Sequence, residues 1–530
     1  MNKPAFLIAL GLPVAIVALA TGLWALAAYP HWFTTAPSHR DPSPGQPVTL
    51  FAAAALRPVV EHVIQQYQAE TGRRIHVQWG GSNTLLSQIQ LGAQADLYLA
   101  GDTSFIDLAQ RRNLVRERLA IASMQAVLVV PPANPAAVTS LDDLLRPDLR
   151  ISIANPDQAA VGAVLRTAIG TAAFSELELK IRTRGGGVFK PTEPDVAADV
   201  ALGTVDAGVV WNVTALNNDK LRIISEPRLQ NARAEVHIAV CTASTRPAAA
   251  LHFARYLAAA DRGITRFQNA GFQTAPADPW ADRPRLILFA GAVNRRSLAS
   301  AIQSFQQREG VDLITAFDGC GILTGRMKAL RAAGMEHEFP DLYVPCDVCY
   351  LDFVPDDFGP STMVSATDIV IVTTPQNPAS IHSLTDLQRP GVRVVIGEPR
   401  QATIGLLTYR LLQSLDWDVD QWADGPNVVA KKPSSAMLVP AVITGAADAA
   451  IAYRSDTVSL ADQLHIVPID SPLARARQPI TIANRSRYPN LARRFIQHLH
   501  NDPQAIIDAG FTSLLPPADP ILPQTPPSQP

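Results

Sequence analysis

The chain of 530 residues is poor in charge and has no concentrated charge of either sign. Charged residues make up 17% of the sequence, and 45 Lys and Arg nearly balance 47 Asp and Glu. A run of basic residues is missing, which argues against a nucleic-acid partner, because binding to phosphate backbones relies on clustered Lys and Arg. Low charge combined with 47% hydrophobic residues excludes an intrinsically disordered chain.

Motifs of the common catalytic classes are also missing from the sequence. It contains no HExxH motif of the zinc proteases and no recognisable Ser, His and Asp order of a hydrolase. The eleven histidines are scattered, and no pair of them has the spacing of a structural zinc site. We therefore expect no catalysis and no cofactor.

What the sequence does contain is a long internal repeat. The segment LFAAAALRPVVEHVIQQYQAETG from Leu50 returns as LFAGAVNRRSLASAIQSFQQREG from Leu288, and later segments return in the same order. The offset is 238 residues at the start of the repeat and 242 residues where Trp211 corresponds to Tyr453. A repeat of this length indicates two whole domains, each of roughly 240 residues and large enough for its own core.

Each copy alternates predicted strands and helices. In the first copy an apolar strand at 48–53 is followed by a helix that ends at Gly72, where a helix C-cap glycine belongs. The alternating segment 74–79 predicts the next strand, and Ser82 is the expected N-cap of the helix after it. Repetition of strand, turn and helix predicts a parallel α/β sheet, whose ligands bind beyond the carboxyl ends of the strands.

The loops at these strand ends are small and uncharged. Residues 52–55, 80–83 and 158–162 each precede a predicted helix. Helix N-termini of this kind expose backbone N–H groups, which suit an anion without any Arg or Lys. Small residues also simply permit tight turns, but their recurrence at the same end of the sheet in both copies favours a binding site.

Four segments of the first copy, in this order, resemble the periplasmic molybdate-binding protein family: FAAAALRPVVEHVIQQYQAETG, GGSNTLLSQIQLGAQADLYLAGD, IANP and LGTVDAGVVW. The resemblance extends over about 48–277, and the second copy resembles the family more weakly over about 286–515. It implies two tandem type 2 periplasmic-binding-protein domains, each made of two α/β lobes with a hinge. It also implies that the partners are a small oxyanion, such as molybdate or tungstate, and the permease and ATPase of an ABC-type importer.

The chain accordingly divides into five predicted segments. They are an N-terminal signal-anchor or transmembrane helix (1–34), a Pro-containing linker (35–47), a first solute-binding domain (48–280), a second solute-binding domain (284–515) and a Pro-rich disordered tail (516–530). The apolar N-terminal stretch is longer than the core of a cleaved signal peptide and long enough to span a bilayer. We expect a single-pass anchor in the cell membrane with both domains on the extracytoplasmic side, although the sequence ALAA leaves cleavage open.

Family members hold their oxyanion with serine hydroxyls, backbone N–H groups and a tyrosine hydroxyl. By resemblance, these contacts fall in the first copy at Ala54, Ala55, Ser82, Asn83, Ala160, Val161, Val196 and Trp211. Ala55 stands in place of the first family serine and Trp211 in place of the tyrosine, so two hydroxyls are missing. Since each lost hydrogen bond to a buried oxyanion costs about 1–3 kcal/mol, the resemblance supports an anion receptor rather than molybdate in particular.

The contacts of the second copy differ in composition. By the same resemblance they fall at Ala292, Val293, Cys320, Gly321, Thr403, Ile404 and Tyr453. Tyr453 restores the family tyrosine, whereas Val293 replaces the first serine. Cys320 stands where the first copy has Ser82. Neither copy therefore carries the complete set of hydroxyls.

The chain has four cysteines, of which Cys241 lies in an apolar segment and is expected to be a buried small hydrophobe. The repeat places Cys320, Cys346 and Cys349 together at the mouth of the second copy. An oxidising compartment predicts a disulfide there between Cys320 and Cys346, or between Cys346 and Cys349. Two alternatives stay open, which are a soft-metal or redox site built from all three thiols, and three reduced, inert thiols.

The function that these features predict is an extracytoplasmic solute-binding receptor. Two other classes stay open. A membrane-anchored ligand sensor or scaffold is one, because fusion of two domains to an anchor is unusual for a receptor that diffuses freely. The other is a soft-metal or redox protein that uses the cysteine cluster of the second domain.

Overall fold

The computed structural model describes residues 46–183 and 186–515. The predicted anchor (1–34), nearly all of the predicted linker and the predicted tail (516–530) lie outside the described residues. Among the residues that are described, no helix combines the length and the apolar character needed to cross a membrane.

Two mixed sheets of ten strands form the centres of the two copies. The strands of the first sheet are β1 (Val48–Ala53), β2 (Ile75–Gly80), β3 (Leu97–Ala100), β4 (Val115–Val130), β5 (Ile151–Ala154), β6 (Gly187–Lys190), β7 (Ala207–Trp211), β8 (Arg222–Ile224), β9 (Arg233–Cys241) and β10 (Gln273–Thr274). The strands of the second are β11 (Arg285–Gly291), β12 (Asp312–Asp318), β13 (Leu342–Val344), β14 (Thr362–Thr373), β15 (Val394–Gly397), β16 (Val428–Lys432), β17 (Ala449–Tyr453), β18 (His465–Pro468), β19 (Arg475–Ile482) and β20 (Thr512–Ser513).

The two sheets share one strand order. In the first sheet the order is β2-β1-β3-β9-β4-β7-β5-β6, and β8 and β10 also pair with β4. In the second sheet the order is β12-β11-β13-β19-β14-β17-β15-β16, and β18 and β20 also pair with β14, so each strand number is higher by ten. This identical path confirms the tandem duplication that the repeated sequence predicts.

The sheets are mixed, whereas the alternation of strands and helices predicts parallel ones. β1 pairs in parallel with β2 and β3, and β5 pairs in parallel with β6 and β7. The long strand β4 runs antiparallel to both β9 and β7, and β14 does the same in the second copy. Because β9 also runs antiparallel to β3, the long strand β4 points in the same direction as β1–β3 and opposite to β5–β7. It therefore joins the two parallel groups so that their carboxyl ends face each other.

Helices connect the strands and pack on the sheets. Those of the first copy are α1 (Arg57–Thr71), α2 (Ser82–Gln90), α3 (Thr103–Arg111), α4 (Ala160–Ile169), α5 (Thr171–Thr183), α6 (Glu193–Ala201), α7 (Asn212–Leu216), α8 (Pro247–Leu257) and α9 (Gly263–Asn269). Those of the second are α10 (Arg295–Glu309), α11 (Cys320–Ala332), α12 (Thr403–Gln413), α13 (Val419–Ala423), α14 (Leu438–Ile443), α15 (Pro489–Asn501) and α16 (Gln504–Asp508).

The first helix shows how local sequence sets these elements. Pro58 lies in the first turn of α1, where the missing N–H would have no partner in any case. Val60, Val63 and Tyr67 recur at helical spacing and are buried against the sheet. Gly72 ends the helix with a φ of 70°, a left-handed conformation that favours glycine, which confirms the predicted C-cap.

A buried cluster of charges joins the two copies. Glu309, at the end of α10, is only 2% exposed. Its carboxylate accepts a hydrogen bond from Arg494 Nε at 2.7 Å and from Arg255 Nη1 of the first copy at 3.4 Å. Burial lowers the pKa of Arg255 to about 10, against the attraction of Glu309. One buried carboxylate therefore pairs with a guanidinium group of each copy, and its pair with Arg255 crosses the boundary between the copies.

We expect Glu309→Gln to destabilise the protein by about 3–5 kcal/mol, because it leaves two buried cations without their anion. The midpoint of urea unfolding measures this loss. Glu117→Gln is the matched control, since Glu117 pairs with Arg308 across the same boundary but both side chains are partly exposed. The control should lose at most about 1 kcal/mol. Equal losses in the two variants would contradict a dominant role for the buried cluster.

Candidate functional site

A small cavity lies in the first copy, where both parallel groups of strands end. It is lined by Ala53, Ala54, Ala55, Gly80, Gly81, Ser82, Gly101, Ala159, Ala160, Val161, Thr192, Glu193 and Trp211. These residues stand at the carboxyl ends of β1, β2, β3, β5, β6 and β7, or in the loops and helix starts that follow them. A volume of about 20 Å³ is open to the centre of a water-sized sphere, which is room for a ligand of a few atoms.

Three helices begin at this cavity. They are α2, α4 and α6, of nine, ten and nine residues, which start at Ser82, Ala160 and Glu193. The first N–H groups of a helix have no partner inside it, and the aligned peptide dipoles make this end positive. No Lys or Arg is among the residues that line the cavity. The groups here that attract a small anion are therefore the backbone N–H groups at the positive ends of the helices.

Ser82 contributes to the cavity in a way that differs from the prediction. Gly81, not Ser82, is the N-cap of α2, and Ser82 is the first helical residue. The Ser82 hydroxyl oxygen accepts a hydrogen bond from the N–H of Gly101 at 3.1 Å. The backbone carbonyl of Ser82 accepts one from the Tyr98 hydroxyl at 2.7 Å. The hydroxyl proton of Ser82 is thereby left to donate to a ligand.

The two groups of strands meet directly beside the cavity. The N–H of Asn83 donates to the carbonyl of Gln158 at 3.1 Å, and Asn83 Nδ2 donates to the carbonyl of Asp157 at 2.8 Å. A Cβ atom at Gly81 would lie 2.4 Å from the same Gln158 oxygen. Glycine is therefore required at position 81 for the two backbones to approach this closely.

The second copy has the same contact. The N–H of Gly321 donates to the carbonyl of Gln401 at 3.0 Å. A Cβ atom at Gly319 would lie 2.4 Å from that oxygen. The two parallel groups of strands thus close on each other at equivalent points in both copies.

Glu193 is a buried acid in the wall of the cavity. It is 3% exposed, and its Oε1 accepts a hydrogen bond from the N–H of Trp211 at 3.1 Å. Its Oε2 has no hydrogen-bond partner within the described part of the chain. Burial raises the pKa of Glu193 to about 7, and the Trp211 N–H and the nearby Thr214 hydroxyl oppose that rise.

The structure places six of the eight residues predicted for the first copy around the cavity, namely Ala54, Ala55, Ser82, Ala160, Val161 and Trp211. Asn83 points instead to the carbonyl of Asp157. Val196 lies one turn further into α6 and is fully buried, where it would contact a Cβ atom at Gly208. Sequence reasoning missed Glu193. An acid followed by Pro is common in the first turn of a helix, where the acid interacts favourably with the helix dipole. This common role gave no reason to expect Glu193 at the cavity.

In the second copy two thiols stand at the equivalent place. Cys320 begins α11 and Cys346 follows β13, with their sulfur atoms 3.2 Å apart and the N–H of Cys346 donating to Cys320 Sγ at 3.1 Å. A disulfide needs sulfur atoms about 2.05 Å apart. All four cysteines are free and buried, so neither predicted disulfide is formed. The repeat alignment brings Cys320 and Cys346 together, but as two thiols in hydrogen-bonding contact.

The contact between the two thiols shifts their pKa values in opposite directions. Burial disfavours the thiolate of Cys320, but the Cys346 thiol and N–H hold the pKa of Cys320 below its ordinary value. The same contact, with burial, raises the pKa of Cys346 far above the usual range. A metal site of three thiols is not assembled, because in the part of the chain that the structure describes no three His, Cys, Asp or Glu side chains are arranged to hold a metal ion.

Five other residues predicted for the second copy lie at the ends of strands or the starts of helices. Ala292 and Val293 form a short 3₁₀ turn after β11, Thr403 and Ile404 begin α12, and Tyr453 ends β17. The hydroxyls of Thr403 and Tyr453 are buried and have no hydrogen-bond partner among the described residues.

The Cys346 thiol fills space that is open in the first copy. A Cβ atom at Gly291 would lie 2.1 Å from Cys346 Sγ. By the repeat, Gly291 corresponds to Ala53, and Cys346 corresponds to Gly101. Both of these first-copy residues line the cavity, so the second copy places a sulfur atom where the first leaves room.

A duplicated α/β fold with a small cavity at the strand ends defines a ligand-binding protein. The family model described as "Bacterial extracellular solute-binding protein" matches residues 48–273 and again residues 286–512. The chain belongs to this family, with two tandem copies of its domain.

Individual relatives match one copy at a time. The molybdate-binding protein ModA of Mycobacterium tuberculosis H37Rv is 29% identical over 233 residues, which are 42% of this chain and 84% of that protein. ModA of Escherichia coli K12 is 24% identical over 205 residues, 36% of this chain and 76% of that protein. Among solved structures, the periplasmic molybdate-binding protein of Azotobacter vinelandii is 18% identical, covering 43% of this chain and all of its own, with a TM-score of 0.36.

The free thiols can be counted. We expect a thiol reagent to find four thiols after the protein is unfolded without reductant, and almost none in the native protein, because all four are buried. Cys346→Ser is the control and should lower the count by one. A count of two in the unfolded wild type would show that a disulfide forms after all.

The raised pKa of Glu193 predicts a pH-dependent stability. The folded state keeps its proton up to about pH 7, whereas the unfolded state releases it near 4.5. Its contribution to stability is therefore complete below pH 4.5 and is lost as the pH rises through 7, a change of about 3 kcal/mol. Because glutamine does not titrate, the stability of Glu193→Gln relative to wild type should rise by about this amount between pH 4.5 and 8. Denaturant unfolding at several pH values measures this gain, and a constant difference would contradict burial of the acid.

Proposed function

We propose that this protein is an extracytoplasmic solute-binding receptor whose first copy binds a small tetrahedral oxyanion, such as molybdate or tungstate. The observation that carries this proposal is the convergence of three helix N-termini on a cavity of a few atoms' size without a lysine or arginine. The Ser82 hydroxyl adds a donor beside them. The ModA relatives, named as molybdate-binding proteins, support this class of ligand.

Closure of two lobes around the ligand is part of the proposal. Residues 48–280 would form one binding domain and 284–515 the other, each with two lobes that meet at the cavity and a hinge where β4 or β14 passes between them. A ligand that contacts both lobes favours the closed state, because only that state makes all the contacts. The hydrogen bond between Asn83 and Gln158 then holds the lobes together in the first domain.

Delivery to an ABC-type importer completes the proposed role. The resemblance to molybdate receptors implies that a permease and an ATPase on separate chains take over the released anion. The predicted segment 1–34, outside the described residues, would hold the receptor at the outer face of the membrane. We propose one oxyanion per chain, because the Cys346 thiol takes up the corresponding space in the second copy.

Isothermal titration of the full-length chain tests this proposal. We expect molybdate or tungstate to bind with a stoichiometry of one per chain, while sulfate and phosphate serve as competitors. Gly81→Ala should weaken binding at least about tenfold, because its Cβ atom would lie against the Gln158 carbonyl and keep the lobes apart.

The matched control is Gly319→Ala, which introduces the same clash in the second copy and should leave the oxyanion affinity unchanged. Equal weakening by the two variants would place the site elsewhere. Failure of every oxyanion to bind wild type would overturn the proposed function.

A further inference from the structure

The wall of an anion cavity is an unexpected place for a buried carboxyl group. Glu193 lines the cavity, and its Oε1 is held by the N–H of Trp211, whereas its Oε2 is buried without a partner in the described chain. An ionised carboxylate there would repel the anion that the surrounding helix N-termini attract. A protonated carboxyl would instead offer an O–H donor to it.

The fold itself does not require an acid at this position. By the repeat, Ser435 occupies the place of Glu193 in the second copy, where its hydroxyl lies beside the Asp456 carboxyl. The corresponding strand β17 and the following turn still form. An acid at this particular position is therefore not a condition for the fold.

The second copy also has a buried acid, but at the other position of the carboxyl and hydroxyl pair. Thr214, beside Glu193, corresponds to Asp456, which lies beside Ser435. Oδ2 of Asp456 is buried and also has no partner among the described residues. Burial raises the pKa of Asp456 to about 6, against the Ser435 hydroxyl and Arg296. Each copy thus has one carboxyl and one hydroxyl at the same two positions, in opposite order.

Few charged groups act on Glu193. Asp195, in the same helix, raises the pKa of Glu193 further. Lys190 of β6 pairs with Asp199 of α6 at 3.1 Å. The other elements packed against α6 are β5, β7, α7, the turn 54–56 and the middle of β4, and their sequences contain no charged residue there. No cation among these elements is therefore available to hold Glu193 in its ionised form.

We propose that Glu193, in its protonated form, donates a hydrogen bond from Oε2 to the bound oxyanion, so that each anion enters the first site together with one proton. This inference rests on the proposed function and deepens it. The proton comes from solvent and is released when the anion leaves. The ligand class is a tetrahedral oxyanion that is fully ionised at neutral pH and brings no proton of its own.

The physical reason is linkage between the anion and the proton. A bound anion disfavours a neighbouring negative charge, so it raises the pKa of Glu193 above its value in the empty site. Above that empty-site value, binding must take up a proton, and the affinity falls about tenfold for each further pH unit. An importer that works on such a receptor would receive the anion more readily at lower external pH.

Titration of the full chain with molybdate in two buffers of different ionisation enthalpy measures the proton. At pH 8 we expect uptake of about one proton per molybdate, and an affinity that falls about tenfold between pH 8 and 9. Glu193→Gln keeps a donor without titrating, so it should bind at least as tightly as wild type at pH 8 with no proton uptake. The double variant Glu193→Ser, Thr214→Asp copies the second domain and should restore the proton uptake.

The possible failures are distinguishable. Molybdate binding without proton uptake, in protein whose unfolding temperature is normal, overturns this inference and leaves the receptor function intact. Absence of binding by any oxyanion overturns both. A third outcome is that only phosphate binds, that it binds without net proton uptake, and that Glu193→Gln abolishes this binding. In that case Glu193 accepts a proton from the ligand, and the proposed donor role is wrong.

Discussion

The close approach of two backbones at Gly81 and Gln158 is the constraint on which the first site depends. This contact brings the two groups of parallel strands together at their carboxyl ends, and it sets the size of the cavity between them. Because the backbone of one group provides donors and that of the other provides acceptors, the closed arrangement satisfies polar groups that would otherwise face each other unpaired. The equivalent contact between Gly319 and Gln401 shows that duplication kept this geometry even where side chains changed.

The two copies have diverged within this common frame. In the first, small residues leave a space bounded by helix N-termini and one acid. In the second, a thiol at Cys346 takes the place of Gly101, and a second thiol at Cys320 takes the place of Ser82. A change of this kind needs only one or two substitutions, since the surrounding strands and turns stay in register. Two sites with one architecture can therefore carry different chemistry.

Sequence patterns predict the duplication and most of the cavity, because apolar periodicity and small loop residues are local features. They do not predict the antiparallel direction of β4, since alternation of side chains is the same in both directions. Glu193 escaped prediction because its place at the cavity depends on how the loop after β6 meets the end of β7. The alignment brings Cys320 next to Cys346, but a position in a repeat does not determine whether two sulfur atoms are bonded.

The charge cluster around Glu309 has a consequence for how the two copies evolve. A fragment made of the first copy alone would carry Arg255 without its anion, and a fragment of the second would expose Glu309 and Arg494 at a new surface. Since the carboxylate and both guanidinium groups depend on one another, substitutions at these three positions are tied to one another across the duplication. The two copies share one fold, and at this boundary they are complementary halves of one molecule.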